Sequence, residues 1–445
     1  MRNCAVATSA ILYVLWFTHP ALAQEPPTLR LTLDDAVARA MATSHRLAEA
    51  RARERVAVAG VGAREAADRP TVAATAGYVR TNHVVEYAVP TLIGPARVLY
   101  PDVPNNYKSR LELTWPIYTS GQTDALERSA RAEADAVAAE VSATQADLRL
   151  EVTRAYWAVV TAKAAVGVLE QGVARTQAHV AEVTARSRAG LVPPNELASA
   201  TAQEMRARML AIEARTLRDV AVAELARLIG AASDQPIEPA DDLGPTSATF
   251  AGPVDVAPLL AAARADRQER RALQYRIAAA GEQRTAAAAG RLPMVFVSSG
   301  LEWSRPNPRI FPRTDQWDHT WDAGIGVTWS LWDGGRTSAA MAQAAGLVDV
   351  VTQRLEEFDS VLAVEVRQRS LEIESGIAAV AAASSGVEAS AEARRVVEER
   401  YRAGVIAQIE VLDAEFALVQ AELDRTRAAA AVRLAEARLA RAIGR

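Results

Sequence analysis

The stretch VTWSLWDGGRT (327–337) joins two kinds of pattern within eleven residues. Val327, Trp329 and Leu331 alternate with Thr328, Ser330 and Trp332, the period of two that marks a half-buried strand. Asp333-Gly334-Gly335 then breaks the strand, and the alanine-rich run that follows Arg336 has the composition of one long helix. The chain does the same at LTWPIYTSGQT (113–123). A strand this apolar and aromatic, running straight into so long a helix, and doing so twice, decides the fold.

The N-terminus sets the compartment. Arg2 is the only charge ahead of an apolar run at 10–17, and Ala21-Leu22-Ala23 has the small-x-small form of a signal-peptidase site, so residues 1–23 read as an export signal. The run is too short to span a bilayer. Cys4, the sole cysteine, precedes the run instead of following it, so we expect a mature chain without thiols and without a lipid anchor. Disulfides and zinc sites built from cysteine are then excluded. The net charge is −4 with basic and acidic residues mixed throughout, which argues against a nucleic-acid surface. His19, His45, His83, His179 and His319 are scattered with no ligand spacing, and no phosphate-binding loop or nucleophile–base pair is present. We expect no enzyme activity, no cofactor and no metal.

A repeat organises the rest. Trp115 and Trp329 lie 214 residues apart, and the same offset aligns RSRAGLV (186–192) with RYRAGVI (400–406), Glu196 with Glu410, and ARLIG (226–230) with ARAIG (440–444). Upstream the offset is 223, pairing Pro70 with Pro293 and Gly77 with Gly300, so the first copy has 9 more residues near 89–106, where a loop is expected. Each copy reads helix, strand, loop, strand, long helix, turn, helix. The first, at 24–230, holds a helix over 33–69 stopped at Pro70, a β-hairpin at about 71–118 with strands over 72–80 and 109–118, and a long helical hairpin at about 122–230. The second, at 257–445, holds a β-hairpin at about 294–332 and a helical hairpin at about 336–444, and closes the chain at Arg445. Between them, 231–256 carries Pro236, Pro239, Pro245 and Pro253 and suits a connector strapped around the equator of the helices. Each long helix, at about 65–70 residues and about 1.5 Å per residue, would extend about 100 Å.

The strands have distinct faces. Leu111, Leu113, Trp115 and Ile117 share one, and Arg110, Glu112 and Thr114 the other. Trp321, Ala323, Ile325, Val327, Trp329 and Leu331 oppose Asp322, Gly324, Gly326, Thr328 and Ser330, while Val295, Val297, Leu301 and Trp303 continue the apolar face. Six of the eight tryptophans, including Trp317, lie in or beside these hairpins. Ten-residue alternating strands with aromatic ends are what a lipid-facing barrel requires, with Trp115, Trp303, Trp321, Trp329 and Trp332 as its membrane-facing girdle. A soluble sheet packed on a helix also alternates. Four strands do not close a barrel, and an open edge in lipid leaves hydrogen bonds unmade, so closure demands oligomerisation. Three chains would supply 12 strands.

Taken in order and duplicated, these elements resemble the TolC-type outer membrane efflux protein family, over essentially all of the chain after residue 23. The matching stretches are the opening helix LTLDDAVARAMATSHRLAEA (31–50), the proline before each first strand, the corner SLWDGGRT, EVTRAYWAVVTA (151–162), and the tips AGLVPPNELASA (189–200) and YRAGVIAQIEVLDAE (401–415). The resemblance implies an α+β membrane protein in the outer membrane of a Gram-negative cell: a homotrimeric 12-stranded β-barrel, four strands per chain, continuous with a long α-helical coiled-coil barrel in the periplasm. It implies passive conduction of small molecules or proteins, with a periplasmic adaptor (membrane fusion) protein and an inner-membrane efflux pump of RND or ABC type as partners. By motif position Glu410 and Asp413 match two acidic residues that narrow the periplasmic mouth. Glu196 matches the acidic position of the first copy, and Tyr401 a tyrosine that ties the tips shut. Arg188, Gly190, Leu191, Val192, Arg402, Gly404, Val405 and Ile406 would form the tips that meet the adaptor. Ile406 departs from members with an arginine that bridges neighbouring tips. A plainer account also fits the charges: acids are favoured at helix starts, and Arg186, Arg188, Arg400 and Arg402 at helix ends, by the macrodipole alone. A periplasmic coiled-coil scaffold or adaptor without a channel is the competing function, and it would tolerate Lys and Glu on both strand faces.

Overall fold

The computed structural model describes residues 28–232, 235–244 and 255–445; the export signal read at 1–23, with Cys4, lies outside the described residues. β1 (Leu29–Leu31) leads into α1 (Leu33–Thr43) and α2 (His45–Glu65). The single helix expected over 33–69 is thus two helices and a short 3-10 turn, Ala66–Asp68. The break falls at Ser44, whose ψ of 118° is extended and whose hydroxyl accepts from the Leu47 amide, capping the second helix. β2 (Thr71–Arg80) follows, then a small hairpin inside the outer loop, β3 (Tyr87–Val89) and β4 (Arg97–Tyr100), then β5 (Asn105–Tyr118). Two helices come next, α3 (Gln122–Arg188) and α4 (Pro194–Ile229), and then β6 (Ile237–Pro239) in the connector. The second copy runs α5 (Val256–Asp266), α6 (Gln268–Ala289), β7 (Met294–Arg305), β8 (Asp318–Thr328), α7 (Arg336–Arg402) and α8 (Gln408–Ala442).

α3 and α7 have 67 residues each, about 100 Å of helix. α2 and α4 lie end to end along α3, while α6 and α8 lie end to end along α7 and also touch α3. The joints obey the repeat. The break at Ser44 recurs 223 residues on at Arg267, with ψ of 119°. Gly230 (φ +67°) and Gly444 (φ +86°) end their helices in the left-handed region, and a Cβ on either would press within 2.8 Å of Thr43 or 2.7 Å of Asp266. Both conformation and close approach therefore demand glycine.

The four long strands form one antiparallel sheet in the order β2-β5-β7-β8. Its register aligns Leu111 with Leu301 and Trp321, and Trp115 with Val297 and Ile325, on one face; Arg110 with Glu302 and Glu112 with Gly300 and Asp322 share the other. β5 starts at Asn105, ahead of the expected 109, because its pairing with β2 runs on to Arg80. β8 stops at Thr328 and not at 332, because its partner begins at Met294 after Pro293, which has no amide proton to extend the ladder. Trp329 and Trp332 consequently lie beyond the strand. Trp115 and Trp329 play matching parts: their indoles donate to the carbonyls of Asp68 (2.9 Å) and Arg291 (3.0 Å), pinning the end of each incoming helix to its sheet. At the corners, Gly121 (φ +78°) and Gly335 (φ +89°) turn the chain. Asp333 accepts from the amides of Gly335 (3.0 Å) and Thr337 (2.8 Å), so the sharp exit in DGGRT starts the helix it precedes.

The main core gathers at the equator, where Leu47, Leu148, Val152, Tyr156, Val159 and Leu225 are buried with Leu31 of β1 and Ile237 of β6. β1 and β6 pair in parallel, so the described part of the connector closes over this core. The Tyr156 hydroxyl donates to Asp241 Oδ2 (2.6 Å) with the Leu31 carbonyl 3.1 Å away, and burial with that carboxylate pushes its pKa above the usual phenol range. A second core under α7 holds Leu362, Val366, Ile373 and Leu439. Tyr156→Phe should cost about 0.5–1.5 kcal/mol by removing the bond that ties α3 to Asp241, which among the described residues keeps only the long Leu33 amide contact (3.4 Å), and should appear as faster amide exchange in residues 29–31 and 237–239.

Candidate functional site

The two long helical hairpins end side by side. α3 stops through Ala189 and Gly190 (φ +72°), and α7 through Ala403 and Gly404 (φ +74°). The Leu191 and Val405 amides return to the carbonyls of Arg186 (2.9 Å) and Arg400 (3.0 Å), which closes both helix ends. Leu191 and Val405 stand out into solvent with Arg188 and Arg402, the latter paired with Glu398, while Val192 and Ile406 are half-buried.

Behind the tips four helices meet at Tyr401. Its ring is buried, its hydroxyl donates to Glu196 Oε2 on α4 (3.2 Å), and the Arg186 guanidinium of α3 lies over the ring, 4.9 Å from its centre. His179 of α3 packs beside it, ring centres 5.7 Å apart, and shares a 3.2 Å contact with the Gln408 amide of α8. Burial and the Glu196 charge raise the Tyr401 pKa, so the hydroxyl stays a donor. Glu410 and Asp413 stand in the first turns of α8, exposed, and neither makes an ion pair among the described residues. The repeat explains the contrast: Glu410 is the counterpart of Glu196, but Ser187 occupies the position equivalent to Tyr401. Of the four sequence-picked residues, two are joined and two are left to face outward.

Sequence reading missed His179 and Gln408, and the buried Glu415, which binds Arg175 of α3 (3.2 Å) and Arg394 of α7 while Arg175 also reaches Glu422 (3.1 Å). A signal existed for Gln408 and Glu415: both recur with Val411, Leu412 and Leu418 on the buried stripe of α8. On the sheet, Trp115 and Trp321 lie on the apolar face with Trp303, and Tyr78, Tyr107 and Trp317 stack at 5.1 and 5.8 Å near the end remote from the helices.

Burial holds the His179 imidazole below its ordinary 6.5, while Glu182, Glu415 and Glu398 offset part of that effect and Arg186 adds to it. A depressed folded pKa means that the opened tip takes up a proton the closed tip resists. The ring's contribution is complete above pH ~6.5 and is lost as pH falls through the folded value. Amide protection in residues 397–403, corrected for the intrinsic exchange rate at each pH, should fall between about pH 7.5 and about pH 5.5, and His179→Gln should flatten that dependence.

Comparison with known proteins places this architecture. The outer-membrane channel OprN superposes with a TM-score of 0.76 at 19% identity, over 93% of this chain and 89% of OprN. The open-state MtrE channel of Neisseria gonorrhoeae gives 0.74 at 20% identity, over 93% of this chain and 88% of MtrE. In sequence, 280 residues (62% of this chain) are 30% identical to Protein CyaE of Bordetella pertussis, and they span 56% of CyaE. The pattern of the outer membrane efflux protein family matches residues 36–231 and 259–445, and the chain belongs to that family.

Proposed function

We propose that three copies join edge to edge, β8 of one beside β2 of the next, into a 12-stranded barrel continuous with a helical barrel, forming a passive outer-membrane exit duct. The observation that carries this is the sheet itself. β2 and β8 each have one strand neighbour among the described residues, and the apolar face leaves Trp321 73%, Ile325 72% and Val327 64% exposed. A soluble scaffold would not hold three such side chains in water. Trp321 and Trp329, eight residues apart, span about 27 Å of extended chain, which at the tilt of about 35–45° usual for barrel strands rises about 20 Å, most of the ~25 Å apolar band of outer-membrane barrels. The helices supply matching flanks: Met205, Met209, Ile212 and Val220 are exposed on α4, and Val350, Val361, Val364 and Leu371 on α7, apolar rows left for a neighbouring copy.

The duct resides in the outer membrane of a Gram-negative cell with its helices in the periplasm. A periplasmic adaptor protein and an inner-membrane pump of RND or ABC type would deliver substrate to the mouth, with Leu191 and Val405 at the docking tips. Threefold symmetry would bring Glu410 and Asp413 of each copy round one axis, where unpaired carboxylates attract cations. The Tyr401–Glu196 bond ties the α7–α8 hairpin to the α3–α4 hairpin and so resists opening.

Washed outer membranes should yield, on gels run without heating, a species near three chain masses that collapses to one on boiling; a monomer released by urea would overturn the duct. In bilayers Tyr401→Phe should raise conductance, since it keeps the ring and loses the bond, and Glu410→Gln with Asp413→Asn should lower cation preference.

A further inference from the structure

The polar face of the sheet carries a charge cluster remote from the tips. Arg110 on β5 donates from Nη1 and Nη2 to the two carboxylate oxygens of Asp322 on β8, at 2.9 Å each. To do so it crosses β7 over Gly300, its guanidinium filling the space that a Cβ there would occupy. Glu302, buried on β7, lies 3.6 Å from Arg110 and 3.2 Å from Lys108, and Glu112 lies 3.9 Å from Arg110. The β7–β8 connection folds back onto the same face. The buried Asn307 donates to the Asp318 carbonyl (3.1 Å), and Arg309 donates to the Trp321 carbonyl (3.2 Å) and pairs with Asp322 (3.0 Å). Asp322 therefore holds two guanidiniums, one from the sheet and one from the returning loop. Three cations, Lys108, Arg110 and Arg309, stand against three carboxylates, Glu112, Glu302 and Asp322.

We propose that this cluster is a second, charge-balanced constriction of the duct, near its outer mouth, with Arg110 and Arg309 on Asp322 holding the balance. The proposal rests on the barrel reading, in which the polar face lines the lumen and the symmetry repeats the cluster in a ring. Wall charges in a narrow pore act on passing ions at distances shorter than the ~10 Å over which salt screens them. With equal numbers of each sign the ring passes both, which leaves the acidic periplasmic mouth to discriminate. The returning loop narrows the passage where the cluster stands, so removing one charge per chain tips the whole ring.

The purified full-length protein in planar bilayers under a KCl gradient tests this through the reversal potential. Arg110→Gln should shift it toward cation preference. Asp322→Asn should shift it toward anion preference and raise conductance, because Arg309 then loses its hold on the sheet. Glu112→Gln, half-exposed on the same face, should also move it toward anions while keeping the Arg110–Asp322 pair, and it decides the matter if either of the other variants does not assemble. Variants that run as trimers on unheated gels yet leave the reversal potential unmoved, or all move it in one direction, overturn the proposal. Failure of the parent chain to form trimers overturns the barrel reading instead.

Discussion

The backbone groups along the outer edges of β2 and β8 have no strand partner within the described chain, and their environment makes that the governing constraint. In hydrocarbon no water satisfies them, so a four-stranded sheet with an apolar outer face is unfinished until another strand is laid against each edge. β2 and β8 run in opposite directions, so the edge of one copy is complementary to the far edge of another in an antiparallel ladder. The helices inherit the geometry. α3 and α7 leave the same end of the sheet, so in the proposed barrel one act of association would complete both layers.

Duplication supplies rigidity with few devices, each used twice. An indole pins each helix to its sheet, a left-handed glycine turns each strand into its long helix, and a second glycine lets each returning helix abut the break in the first. The buried ion pairs do not repeat. Arg441 joins Asp147 on α3 and Glu269 on α6, and Arg267 joins Glu269 and Glu365, so the second equatorial joint is ionic where the first is the Tyr156 clasp. Arg267 and Arg441 are the buried members, and each is tolerable there because two carboxylates flank it. The tips show most plainly what divergence does. Two glutamates at equivalent positions part company because one faces Tyr401 and the other faces outward.

Much of this was legible in the sequence because it is local. Alternation reported the strand faces, the two offsets reported the repeat and its loop insertion, and Gly121, Gly335, Gly190 and Gly404 marked turns that later proved left-handed. The helix break at Ser44 was not singled out in the sequence, although a serine there can cap a new helix; that Gly230, 186 residues away, packs against Thr43 beside the break is visible only in the fold. The site was legible only by family resemblance. Tyr401 and Glu196 are separated by 205 residues, and His179 and Gln408 by 229, so no spacing rule could join them.

The sequence by itself determined where the long strands and long helices lie, give or take a few residues at their ends, which strand face is apolar, and that this set of elements recurs. These depend on periodicities of two and of three to four residues, which each segment carries within itself. Only the tertiary structure decided where β8 ends, which glutamate is latched and which is free, and that Asp322 gathers two guanidiniums from separate segments. Those outcomes depend on the register between segments, and register is settled by the packing of the entire chain.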